Sequence, residues 1–96
     1  MADRLTIGTE HMGREPRTYS IWATILQRGS NRFEIAVSAL AVDALGPEER
    51  FEETAVALTQ AEAVSLRLEM VKEVCERLQK SGSHVSSVDL RPVELG

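Results

Sequence analysis

Residues 51 to 91 constrain this chain more than any other stretch, because they spell out a strand, a capped helix, a glycine stop and a second strand in succession. Thr59-Gln60-Ala61-Glu62 is a capping box: the threonine hydroxyl can accept from the backbone N–H three residues on, while the glutamate reaches back to the threonine's own N–H. The helix therefore begins at about Gln60. Glu73 with Arg77, and Glu76 with Lys80, stand four apart with the acid first, which suits an exposed face. Lys80 favours the negative end of the helix dipole, and Gly82 supplies the stop, so the helix ends at Lys80 or Ser81.

At about 100° per residue, Val64, Leu68, Val71, Cys75 and Leu78 fall within one arc, and this arc is expected to pack on a sheet. A second apolar arc, Ala63, Leu66, Met70 and Val74, continues round one side of it. One helix on one small sheet does not need so wide an apolar surface. Two readings stay open for the surplus: a cover formed by the N-terminal segment or the 43 to 50 loop, or a contact with another subunit or partner.

Before the helix, Tyr19, Ile21, Ala23 and Ile25 alternate with Ser20, Trp22, Thr24 and Leu26, and Phe33, Ile35, Val37 and Ala39 alternate with Glu34, Ala36, Ser38 and Leu40. Gly29-Ser30-Asn31 joins these two strands as a hairpin. Phe51 to Leu58 reads as a third strand because the capping box fixes the helix start behind it. Val85 to Val93 reads as a last strand, with Pro92 at an edge or an end. The expected fold is α+β with the order β-β-β-α-β: a three-stranded antiparallel meander, one long helix packed on it and a C-terminal strand. Residues 1 to 17, with Gly8, Gly13, Pro16 and no apolar period, are expected to be a flexible N-terminal arm, and residues 18 to 96 a single domain.

In element order alone this resembles the minimal ribonuclease H-like layout. Such a nuclease needs carboxylates on the first strand, the helix and the last strand to hold two metal ions. Thr18 to Arg28 contains no Asp or Glu, so Glu69 and Asp89 read as surface acids and a two-metal nuclease is disfavoured.

Ninety-six residues with 43% hydrophobic content suffice for one core without metal or disulfide help. Aromatic residues are only 4%, so the core is built of Val, Leu, Ile and Ala, and oligomerisation would add usefully to stability. A net charge of −4 argues against a dedicated nucleic-acid binder. The single cysteine, Cys75, excludes an internal disulfide and reads as a buried small hydrophobe. With no apolar run of membrane length and no signal-peptide core in residues 1 to 17, the chain reads as cytoplasmic. Nine arginines against two lysines suggest a GC-rich bacterial or phage genome.

No catalytic, cofactor or metal-ligating residue is identified. His11 and His84 have no neighbour at ligand spacing, and Ser83, His84 and Asp89 carry no triad signature. The acids Glu48, Glu49, Glu52 and Glu53 read as a solvated edge that discourages strand pairing. Arg14, Arg17, Arg28 and Arg32 form the one basic grouping, a candidate nucleic-acid contact at the hairpin. If Ile21, Ala23 and Ile25 face the helix, Trp22 and Leu26 lie on the sheet's other face. A second layer there would come from another subunit or a protein partner; cover by the N-terminal segment and a register burying Trp22 are the alternatives. The reading reached from sequence is a small non-enzymatic interaction or adaptor module. It is expected to form a homodimer or larger homo-oligomer and to bind a protein partner through Trp22, Leu26, Leu66, Met70 and Val74. The alternative is a nucleic-acid-binding regulator using the arginine-bearing hairpin.

Overall fold

The computed structural model describes residues 3–8, 17–42 and 50–96. Its elements are β1 (Asp3–Gly8), β2 (Thr18–Gln27), β3 (Phe33–Ala41), β4 (Arg50–Ala57), α1 (Gln60–Lys80), β5 (His84–Leu90) and β6 (Glu94–Leu95). The alternating burial of β2 and β3 follows from side chains projecting to opposite faces. Tyr19, Ile21, Ala23 and Ile25 lie on the helix side with Phe33, Ile35, Val37, Ala39 and Ala41, and all are buried. Gly29, at φ +74°, makes the left-handed bend between the two strands, as the hairpin reading expects.

The α+β class and the single helix on the sheet agree with the sequence reading, but the sheet is more than a plain three-stranded meander. Its order is β1-β4-β3-β2-β5, with β6 also paired to β2. β2, β3 and β4 are successive antiparallel neighbours, whereas β5 lies parallel to β2 and makes the sheet mixed. The length of α1 explains this return. Twenty-one residues at about 1.5 Å each roughly match the length of β4, so the crossover brings the chain back to the starting edge of β2.

The N-terminal segment needs a correction. Asp3–Gly8, expected within an arm, is an edge strand antiparallel to β4, with Asp3 opposite Val56 and Gly8 opposite Phe51. Its few residues carry no alternating signal long enough to be read as a strand; the pairing depends on the partner edge that β4 offers. Residues 9 to 16 and 43 to 49, and with them His11, Arg14, Glu48 and Glu49, lie outside the described residues. With β1 beside it, β4 is an interior strand, so Glu52 and Glu53 are not edge-guarding acids. Glu52 accepts from Ser38 Oγ on the uncovered face, and Glu53 is buried on the helix side.

Thr59 is the N-cap, its Oγ1 accepting from Glu62 N at 3.1 Å. The C-terminus closes as a Schellman motif, with Gly82 N donating to Gln79 O at 3.0 Å and Ser83 N to Leu78 O at 2.9 Å. Gly82 sits at φ +85°, where a side chain would be strained. Among the described residues, no helix is long and apolar enough to cross a membrane.

The second correction concerns the helix's rotation. The buried residues of α1 are Ala63, Met70, Val71, Val74 and Leu78, while Val64 and Leu68 are exposed. Relative to the expected core arc, the buried one is turned by about 70°, taking about 100° per residue. The cause lies in the sheet. α1 packs most closely on β3, then on β2 and β4, and least on β5. Sitting there it turns the Met70 and Arg77 side toward β4, where the Arg77 guanidinium lies 5.2 Å from the Phe51 ring centre, and leaves Val64 and Leu68 above the overhanging β5 edge.

Candidate interaction surface

The rotation of α1 decides which expected contact residues are accessible. Met70 is 0% exposed and Val74 2%, so both belong to the domain's own core, and Leu66 is half-buried against it. Met70 and Val74 are therefore corrected from a partner surface to helix-to-sheet packing, while Leu66 packs partly on the core and keeps part of its surface accessible.

Trp22 and Leu26 lie where the alternation places them, on the face of the sheet opposite α1. Trp22 is opposite Ser38 of β3 and beside Asp89 of β5, with Ser20 and Thr24 before and after it on β2. It is 38% exposed. The side chains beside it, Ser20, Thr24 and Ser38, are small. Leu26 is half-buried and lies against the chain end: a Cβ built on Gly96 would come within 3.1 Å of Leu26 Cδ1. Several polar groups on this face are already engaged. Ser20 and Ser87 share a hydrogen bond of 2.9 Å, Ser38 Oγ donates to Glu52 Oε2 at 3.2 Å, and Arg91 Nε pairs with Asp89 Oδ2 at 3.1 Å. A partner layer would not have to leave them unsatisfied.

The described arginines do not form one patch. Arg17 precedes β2 and Arg28 follows it, so ten residues at about 3.3 Å each, more than 30 Å, separate them. Arg28 Nε and Arg32 Nε each pair with one oxygen of Glu34, at 3.1 and 3.2 Å. The two guanidinium groups hold the Glu34 carboxyl below its usual range, chiefly through these hydrogen bonds. The hairpin tip thus spends one acid on two cations.

Ser83, His84 and Asp89 are not brought together. Ser83 is buried, with its Oγ accepting from Arg17 N at 3.2 Å, and Asp89 lies five residues along β5 from His84, about 16 Å away, engaged with Arg91. Cys75 is half-buried, and burial pushes its thiol pKa up. No group of three or more His, Cys, Asp or Glu among the described residues could hold a metal ion.

Sequence reasoning missed Val64, Leu68, Val88 and Leu90, all exposed, as accessible apolar residues. Periodicity marks them as core-like, and only the offset of α1 from β5 exposes them. Comparison with known proteins yields no match to a family model, a curated protein or a solved structure.

Proposed function

We propose that this domain is a non-enzymatic interaction module that self-associates through the uncovered face of its sheet and binds a further protein. The observation that carries the reading is Trp22, an exposed indole on a sheet face over which no second layer stands among the described residues. Sheets with one apolar face are normally solvated on the other, where charged residues dominate. This face carries Trp22, Leu26, Ala36, Leu40 and Val56 together with Ser and Thr and the charged Glu34, Glu52 and Asp89.

The size of the face suits a second copy. Four strands about 4.8 Å apart and some nine residues long span about 19 by 30 Å, roughly 570 Å² in projection, which is near the small end of specific interfaces at roughly 800 Å² per partner. The small side chains round Trp22 allow the close approach that sheet-on-sheet packing at about 10 Å needs. Trp22 is the residue expected to anchor it, since central aromatics dominate such contacts.

Sedimentation equilibrium of the parent and of Trp22→Ala tests this. The parent should associate, and the variant should weaken association by about 2 kcal/mol, roughly thirtyfold. A parent that sediments as a monomer at every concentration refutes self-association.

A further inference from the structure

The outer edge of β2 is closed in two pieces. Strand β5 pairs with Thr18 to Ala23, and the two residues of β6 pair with Leu26 and Gln27. Between them the chain passes through Pro92, which has no N–H to give to a ladder. Arg91 N donates to Ala23 O at 2.9 Å, and Gly96 N donates to Gln27 O at 2.8 Å. Those two bonds mark the root and the far end of the second piece.

We infer that residues 92–96 form a releasable strap, caught at its root by Arg67, whose lifting uncovers Leu26 beside Trp22 and so gates the association face. The gating rests on the proposed function; the strap itself does not. Three observations carry it. The first is burial. Of residues 92–96 only Val93 is half-buried, and Leu95 is 82% exposed. By contrast, β3 buries every second side chain along its whole length. Segments with few buried apolar contacts open locally, at a fraction of the free energy that unfolds the domain.

The second is the catch. Arg67 Nη1 donates to Arg91 O at 2.6 Å and reaches Ala23 O at 3.5 Å. One guanidinium thus ties α1 both to β2 and to the residue immediately before the strap. With it in place, opening stops at Arg91. Without it, fraying can begin there.

The third is what the strap lies on. Leu26 stands opposite Glu94, and Gly96, two residues further along, shares that face of the sheet. A Cβ on Gly96 would stand 3.1 Å from Leu26 Cδ1 and 3.2 Å from Leu26 Cγ, so the strap's own backbone rests on the leucine. Glycine makes that cover close and gives it no side chain with which to anchor itself. Trp22 is four residues from Leu26 on the same face, about 13 Å along β2. Lifting the strap therefore adds Leu26 to the surface that Trp22 presents.

Amide hydrogen exchange and sedimentation of the full chain test this in the parent and two variants. Arg67→Met keeps the aliphatic stem and removes the guanidinium; Gly96→Pro removes the donor to Gln27 O. In the parent, the Gly96 amide should exchange at least about a hundredfold faster than the amides that pair β2 with β3, each corrected for its intrinsic rate. Arg67→Met should speed Gly96 exchange by a further factor of about ten and leave the β2 and β3 amides unchanged. Both variants should self-associate about tenfold more tightly, which needs roughly 30 Å² of newly buried apolar surface on each copy at about 25 cal/mol per Å². Parent Gly96 exchange as slow as that of the β2 and β3 amides overturns the strap. Gly96 exchange indifferent to Arg67→Met, or an equal speeding of the β2 and β3 amides, overturns the catch. Faster exchange with unchanged or weaker association in both variants overturns the gate. A parent that stays monomeric at every concentration refutes the proposed function and the gate with it, and the exchange rates then decide the strap alone.

Discussion

Replacing Met70 and Leu68 separately by alanine measures the rotational setting of α1, on which the division between core and accessible surface depends. Met70 is fully buried beneath the helix, whereas Leu68 is 53% exposed beside β5. Truncating Met70 removes a fully buried side chain and leaves a cavity in the core, a loss of about 3 kcal/mol within the usual range of 2 to 5. For Leu68 only about half of a burial worth about 2 kcal/mol is at stake and no cavity forms, so its loss should be near 1 kcal/mol. The two differ by about 2 kcal/mol, well outside the error of paired urea melts. Equal slopes in the two melts would show that the difference lies in stability rather than in compactness. A cost for Leu68→Ala equal to or above that of Met70→Ala would refute this setting of the helix and restore the arc of Val64 and Leu68 as the core.

Thr59→Ala should cost about 1 kcal/mol in the same melts, since it deletes the acceptor for Glu62 N. The Cys75 thiol, half-buried and with its pKa raised by desolvation, should react slowly with a thiol reagent in the native protein and fast once unfolded; equal rates would count against its placement. Glu34 has its folded-state pKa lowered from 4.5, so any stability it contributes is present above that value and is lost as pH falls through the lowered one. Stability differences between parent and Glu34→Gln should therefore be larger at neutral pH than in strong acid; a difference that grows toward acid would contradict the pairing with Arg28 and Arg32.

Local signals in the chain carry local structure well. Thr59 and Gly82 announce both ends of α1, Gly29 the hairpin, and the alternation in β2 and β3 the two faces of the sheet, because capping, φ preference and pleat act within a few residues. The capping box also marks the end of the strand before it, and β4 is a strand. The centre of the apolar arc on α1 is a different kind of quantity. Periodicity measures how wide the arc is, but its seat on β3 rather than on β5 depends on where the sheet's bulk lies, and that includes β1 at the far edge. The same long-range cause turns Met70 and Val74 inward, leaves Val64 and Leu68 outside and moves Glu53 from a presumed edge into the interior. Arg17, Arg28 and Arg32 are near in sequence yet divided by the length of a strand, since proximity along a strand means distance in space. The face on which Trp22 lies is legible because it is set by the alternation of its own strand and the next one.

Trp22 is the chain's one tryptophan, so its emission reports on the uncovered sheet face alone. If that face is where copies meet, the emission at high protein concentration should be blue-shifted and resistant to iodide quenching. On dilution through the dissociation range it should move to the red and become quenchable, in step with the fall in mass seen by sedimentation. An emission maximum and a quenching constant that stay fixed while the sedimenting mass falls would place the self-contact elsewhere and contradict the central claim.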